Sequence, residues 1–208
     1  DRQQAAMTYD TARDRTVLFG GFDGGYLQDT WEWNGENRTW ENVTPAGSKP
    51  AGRQAHGLVY DARRRRVVLF GGEVGELSYL NDVWVWDGTN RSWQELAPGG
   101  DRPDARMLAG VAYDAVRDQL LVCEGATVVE DTTGSWVFDG ERWFDITPSD
   151  ARPPVRSSTA MAYDPVRRRT VLFGGRVSQS EWLDDTWEWN GYRWEEITPA
   201  GDVPASRG

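Results

Sequence analysis

The chain has little of what most catalytic sites are made from. One cysteine, Cys123, excludes an intrachain disulfide, and one histidine, His56, excludes every metal or catalytic site that needs two. Lys49 is the one lysine beside 22 arginines. No run approaches the roughly 18 apolar residues of a membrane span. The opening Asp1-Arg2-Gln3-Gln4 lacks an apolar signal-type segment, so a soluble chain with no membrane span is expected. A Gly-x-Ser-x-Gly elbow, a Walker loop and a Cys-x-x-Cys pair are all missing, and no cofactor is expected. A formal charge of -10 speaks against nucleic acid as a partner. Hydrophobic residues make up a modest 38% of the 208, and 12 Trp, 7 Tyr and 6 Phe must carry the core. Each buried aromatic removes roughly 150–250 Å² from water, which is enough to fold the chain.

Self-comparison reveals four copies of one unit. Tyr9, Tyr60, Tyr113 and Tyr163 recur at spacings of 51, 53 and 50, each followed by Asp and an Arg-rich stretch. Apolar runs at 17–19, 67–70, 120–122 and 171–173 come next, three of them closed by Gly20-Gly21, Gly71-Gly72 and Gly174-Gly175. Trp31, Trp84, Trp136 and Trp187 follow, each with an aromatic two residues on at Trp33, Trp86, Phe138 or Trp189. A third aromatic column is Trp40, Trp93, Trp143 and Trp194. The repeats run approximately over 2–52, 53–105, 106–155 and 156–206 of a single domain, 1–208.

Each unit reads as four short strands. Strand A covers 5–10, 56–61, 109–114 and 159–164; strand B is the apolar run into Gly-Gly, with a continuous pattern that implies burial on both faces. Strand C covers 30–34, 83–87, 135–139 and 186–190, where alternation puts both aromatics on one face. Strand D runs from the third Trp toward Pro45, Pro98, Pro148 and Pro199. Asn34-Gly35, Asp87-Gly88, Asp139-Gly140 and Asn190-Gly191 join C to D, a strong hairpin signal. Nothing has helical period. The fold class is therefore all-β, a β-propeller of four blades, each a four-stranded antiparallel sheet.

The order Tyr-Asp, Val-Leu-Phe-Gly-Gly, Asp-Thr-Trp-Glu-Trp-Asn-Gly, Trp and Thr-Pro resembles Kelch repeats, and its Trp-rich, Arg-rich character is similar to bacterial Kelch arrays. The resemblance covers the whole chain. Repeat 3 departs from it, with Cys123 for Phe, Glu124-Gly125 for Gly-Gly and Gly134 where the others have Asp29, Asp82 and Asp185. Kelch membership implies a β-propeller but fixes no activity, because one architecture hosts many functions. Copper-radical Kelch oxidases need two His, and iron-dependent Kelch specifier proteins use a Glu, Asp, His set spaced by four. His56 stands alone and Gly52 lies four residues before it, so both patterns are missing.

Residues present in every unit are most economically structural. Asp10, Asp61, Asp114 and Asp164 suit a turn-fixing role at the A–B hairpins, and the arginines at 63–66 and 167–169 suit solvated hairpin tips. His56, in the slot of Ala5, Ala109 and Thr159, suits packing better than catalysis. Tyr26, Tyr79 and Trp182 look fit for ligand stacking, yet each precedes Leu and stands at the same place in its unit, which equally suits packing.

The resemblance places the D–A and B–C loops on one face of the domain. An arginine precedes strand A in each unit: Arg2, Arg53, Arg106 and Arg156, with Arg207 opening a further one. By resemblance these point to the central channel, where guanidinium forks suit carboxylates; bonding to backbone is the plainer reading. The candidate ligand-binding residues are Arg2, Arg53, Arg106, Arg156, Tyr79 and Trp182, with specificity in the varying loops 22–28, 73–80, 126–134 and 176–183.

The leading expectation is a noncatalytic interaction module for a protein, peptide or glycan. A second is a secreted carbohydrate-active enzyme using Glu73, Glu76, Glu130, Asp131, Glu181, Asp184 or Asp185. A third is a structural fragment of a larger propeller. The compartment is not fixed by the sequence; a secreted or cell-surface bacterial protein is the expectation. Most Kelch rings have six or seven blades, so the four expected here either close alone or belong to a larger ring, completed by a second copy as a homodimer or by further sequence.

Overall fold

The computed structural model describes residues 1–127, 134–178, 180–197, 199, 201–202 and 204–206. Four sheets account for every strand among them, and no helix occurs in the described residues. Blade 1 holds β1 (Ala6–Asp10), β2 (Arg15–Phe19), β3 (Thr30–Asn34) and β4 (Thr39–Asn42). Blade 2 holds β5 (Gly57–Asp61), β6 (Arg66–Gly75), β7 (Ser78–Asp87) and β8 (Ser92–Leu96). Blade 3 holds β9 (Gly110–Asp114), β10 (Gln119–Cys123), β11 (Ser135–Phe138) and β12 (Trp143–Asp145). Blade 4 holds β13 (Ala160–Asp164), β14 (Arg169–Arg176), β15 (Trp182–Trp189) and β16 (Trp194–Ile197). In each sheet the strands lie in chain order and pair antiparallel.

The expected B–C loops of blades 2 and 4 are in part strand. The double glycine does not end the second strand there. It forms a bulge, with the register shifting between Phe70 and Gly72 and between Phe173 and Gly175, after which β6 and β14 continue. Gly71 and Gly174 have φ of 64° and 59°, a left-handed backbone that glycine adopts without strain. The C–D hairpins form as expected but turn over more residues than the Asn-Gly pair alone suggests. In blades 1 and 2 the left-handed position falls on Arg38 and Arg91 (φ 58° and 49°), while Asn34 and Asp87 accept backbone N–H bonds at 3.0 and 2.8 Å to start the turn. The A–B turns follow the expected device. Asp10 accepts from the Ala12 and Arg13 amides, Asp61 from Arg64, Asp114 from Val116 and Arg117, and Asp164 from Val166 and Arg167.

The chain divides into two compact units, residues 1–98 with 104–107, and residues 99–103 with 108–208. In the first, one face of blade 1 (Ala6, Val17, Phe19, Thr30, Glu32) packs on the aromatic face of blade 2 (Leu58, Tyr60, Leu69, Trp84, Trp86, Trp93). Phe19 meets Trp93 edge-on at 5.2 Å, and the Trp93 indole N–H donates to Thr30 Oγ1 at 2.9 Å. In the second unit Leu121, Cys123 and Val137 of blade 3 receive Leu172, Trp187, Trp189 and Trp194 of blade 4. There the Trp194 N–H donates to Ser135 Oγ at 2.9 Å. The Trp columns are therefore core in blades 2 and 4. Blade 1 differs: Trp40 stays 45% exposed.

Candidate interaction face

Beneath the D–A/B–C end of the blades lies a repeated staple. Arg53 is 1% exposed, and its guanidinium donates to the Gly71 carbonyl at 2.9 Å and forks onto both Asp82 oxygens at 2.6 and 2.8 Å. The Trp84 N–H reaches the same carboxylate at 2.8 Å. Arg156, 0% exposed, repeats this with Gly174, Asp185 and Trp187, and Arg2 repeats it with Gly20, Asp29 and Trp31. Burial alone would push the Asp29 and Asp185 carboxyls up; the guanidinium and indole bonds outweigh it and hold both below the usual range. Arg106, 2% exposed, donates from Nε to the Asp104 carbonyl at 3.0 Å, and Gly134 stands where the other blades have the aspartate.

The structure thus sets the arginine column apart from the exposed surface. Arg53, Arg106 and Arg156 sit below it, and Arg2 is the one with an accessible edge. Each pinned arginine also feeds its own carbonyl to the blade before it within the first unit: the Gly21 amide donates to Arg53 O at 2.8 Å, and the Gly72 amide to Arg106 O at 3.0 Å. A Cβ on Gly20 or Gly71 would lie 2.6 or 2.8 Å from those carbonyl oxygens, which explains why glycine repeats there.

His56 is also structural in its setting. It is buried edge-on against Phe19 at 5.6 Å, and burial, reinforced by Arg53, pushes its pKa down to about 3 against smaller raising effects of Asp82 and the Phe19 backbone. It stays neutral at physiological pH.

Above the staple, the residue after the double glycine changes chemistry from blade to blade while its cross-strand partner stays aromatic. Phe22 pairs with Tyr26, rings edge-on at 5.2 Å. Glu73 lies opposite Tyr79, and Arg176 lies opposite Trp182 with its guanidinium 5.9 Å from the ring centre. Trp182 is 41% exposed. In the first unit these pairs form one neighbourhood. Burial first, then the Glu73 and Glu76 carboxylates, push the Tyr26 phenol up, and exposed Leu77 caps the adjoining β6–β7 hairpin. Gln54 donates to Glu73 at 2.7 Å and fixes that carboxylate. In the second unit Arg176 Nε and Ser157 Oγ are both buried without a hydrogen-bond partner, beside the Ser157–Arg176 bridge.

Sequence reasoning singled out Tyr79 and Trp182 and placed Phe22, Glu73 and Arg176 at the start of its varying loops, without the pairing that gives the three one register position. Their signal is the reverse of repetition: one register position, next to repeated glycines, that differs in every blade. Of the candidate carboxylates, Asp185 is consumed by the staple, and Glu130 and Asp131 lie outside the described residues, as does Arg207.

A family model described as the KLHDC2/KLHL20/DRC7 Kelch-repeats domain matches residues 4–208. The chain belongs to that family. Among curated proteins, this Kelch domain is 30% identical over 100 residues to dynein regulatory complex subunit 7 of Chlamydomonas reinhardtii, a stretch covering 47% of the chain and 9% of that protein. It is 35% identical over 127 residues to human multiple epidermal growth factor-like domains protein 8, covering 59% and 4%. Human host cell factor 2 is 28% identical over 86 residues, covering 41% and 11%. The chain spans about a tenth or less of the length of these relatives. The Kelch family and these relatives suggest a protein-interaction module. The relatives come from an alga and from human, and the expected bacterial subtype finds no support in them.

Proposed function

We propose that this Kelch domain is a noncatalytic module that binds a peptide segment of another protein over its D–A/B–C end. The observation that carries the reading is the varying position above the staple. Phe22, Glu73 and Arg176 share one slot, each against an aromatic, and supply an apolar, an acidic and a basic contact from otherwise repeated turns. A purely structural slot has no reason to change charge from blade to blade. In the first unit Tyr79 and the accessible edge of Arg2 adjoin this position, and in the second Trp182 does. Arg53, Arg106 and Arg156 act beneath it by holding the turns, and carry the ligand indirectly.

In the first unit, Phe22, Tyr26, Tyr79 and Leu77 around Glu73 and Glu76 suit a peptide with a basic residue next to an apolar one. In the second, Arg176 over Trp182 suits a carboxylate. Exposed aromatics also favour a sugar face, so glycan recognition is the second reading, motivated by Trp182.

The test is selection of a random peptide library displayed on phage, followed by calorimetric titration of the selected peptides. Glu73→Ala or Trp182→Ala should weaken binding about tenfold or more, in line with loss of roughly 1.4 kcal/mol at a contact residue. Tyr192→Ala, at an exposed C–D hairpin, should leave it unchanged. No enrichment over an unfolded control, or equal loss from the Tyr192 variant, would overturn the reading. Binding confined to a glycan array would select the second.

A further inference from the structure

In the second unit, the turn between β15 and β16 sets three hydrogen-bond donors on one Asn-Gly pair, Asn190-Gly191. An Asn side chain can close on the backbone nitrogen that follows it, and Gly permits the approach because no Cβ stands in the way. Closure needs an electrophilic side-chain carbon and a Gly amide that can part with its proton.

The electrophile is held and polarised. Asn190 Oδ1 accepts the Tyr192 and Arg193 N–H groups at 2.8 and 3.0 Å. Bonds to amides two and three residues on keep the side-chain carbon folded forward along the chain, beside the Gly191 nitrogen. The same two donors face the oxygen on which charge develops as that carbon becomes tetrahedral, the arrangement of an oxyanion hole. Asn34 of the Asn34-Gly35 pair in blade 1 accepts one such N–H, from Glu36 at 3.0 Å.

The nucleophile is activated by a neighbouring blade. Arg117 donates to the Asn190 carbonyl, the oxygen of the same peptide unit whose nitrogen must attack. A cation on that oxygen stabilises the deprotonated peptide, whose charge is shared between oxygen and nitrogen. Arg117 is itself fixed, by Asp114 at 2.7 Å and by the Tyr192 ring, whose centre lies 5.9 Å from the guanidinium carbon. Among the described residues the Gly191 N–H has no backbone acceptor to give up.

We propose that Asn190 is a self-modifying site, which converts through a succinimide to aspartate or isoaspartate with no second protein taking part. The Gly191 nitrogen loses its proton and bonds to Cγ of Asn190; the Cγ–Nδ2 bond breaks, and Nδ2 leaves as ammonia with that proton. Water then opens the imide ring at either carbonyl. Blade 3 shows that this turn accepts the aspartate product. Asp139 there takes the Glu141 and Arg142 N–H groups at 2.9 and 2.8 Å, and Gly140 has φ 102° against 97° at Gly191. That outcome adds one negative charge to a turn that Arg117 already touches. Opening at the other carbonyl lengthens the main chain by a methylene and breaks the turn.

Peptide mapping by mass spectrometry, after incubation near neutral pH in water labelled with heavy oxygen, tests this on the whole chain. The peptide holding Asn190 should take up one labelled oxygen about tenfold faster or more in the folded chain than in the same chain unfolded in guanidinium chloride. In the folded chain it should also outpace the peptide holding Asn34. Arg117→Gln should slow the folded reaction about tenfold and leave the unfolded rate unchanged. A folded rate equal to or below the unfolded one overturns the proposal. So does an Asn34 rate that matches that of Asn190, or an Arg117→Gln chain that melts as a folded protein and converts at the wild-type rate. If Arg117→Gln fails to fold, the folded-to-unfolded comparison of the wild-type chain decides.

Discussion

The two units solve the same packing problem with different amounts of polar chemistry. Both seat a tryptophan on a hydroxyl across the blade boundary, Trp93 on Thr30 and Trp194 on Ser135. In the first unit the neighbouring Trp86 N–H also finds Glu32, itself held by Arg13. In the second, Val137 stands in place of Glu32, and the Trp189 N–H is buried with no partner. Arg117 keeps its bond to Asp114 at 2.7 Å and reaches the Asn190 carbonyl without a carboxylate between them. The aspartate column differs too. Asp29 and Asp82 serve both blades of the first unit, and Gly134 breaks the column in blade 3. The carboxylate link between Arg13 and Trp86 is therefore one that a blade boundary can lack, while the tryptophan-to-hydroxyl bond is kept in both units.

The largest effect should come from breaking a staple. Asp82→Ala leaves the Arg53 guanidinium buried without its carboxylate, an expected cost of about 3–5 kcal/mol in denaturant unfolding. Asp185→Ala should match it, and a much smaller loss at either site would mean that water reaches the guanidinium. Trp93→Ala and Trp194→Ala should each cost about 3–5 kcal/mol, because both indoles fill the blade boundary. Equal losses would show that the shared contact dominates in both units.

A finer probe separates them. Trp86→Phe removes a bonded N–H and leaves Glu32 to Arg13 alone, whereas Trp189→Phe removes an N–H that has no partner. The first should cost about 1 kcal/mol more than the second; equal costs would deny that the network contributes.

Acid should also distinguish the units, through His56. Its folded pKa of about 3 lies below the ordinary 6.5, so between those values the unfolded chain binds a proton that the folded chain does not. Stability should fall as pH drops through 6.5 toward 3, by at most about 1.4 kcal/mol per pH unit. Below about 3.8 the depressed Asp29 and Asp185 carboxyls add a loss in both units as they protonate. His56→Thr, copying Thr159 of blade 4, should flatten the upper part of the profile. An unaltered profile would place the titration elsewhere.

Much of the architecture was legible because the repeat exposes it. The first strands were read to within one residue, since a short apolar run ending in Tyr-Asp has a turn that Asp itself fixes. The double glycine misled, because glycine signals an end in sequence, whereas here a bulge lets β6 and β14 pass through it. The arginine column was legible as a column but not as a staple. Its partners lie 27 to 29 residues on, a separation that becomes meaningful once the second and third strands are in register. The loops that begin at Phe22, Glu73 and Arg176 were legible as varying, but the shared register of these three residues, each opposite an aromatic, appears once the strands are paired. The exposure of Trp40 could not be read at all, because Trp40 and Trp93 look alike in sequence and differ in what covers them.

Native-state hydrogen exchange on blades 2 and 3 tests the central claim most directly, namely that the repeated staple and polar contacts set how tightly a blade is held. Blade 3 has the shorter third and fourth strands and the broken aspartate column. The amides of β9, β10 and β11 should exchange about tenfold faster or more than those of β5, β6 and β7, a gap of roughly 1.4 kcal/mol in opening free energy. Equal protection of the two blades would contradict the account.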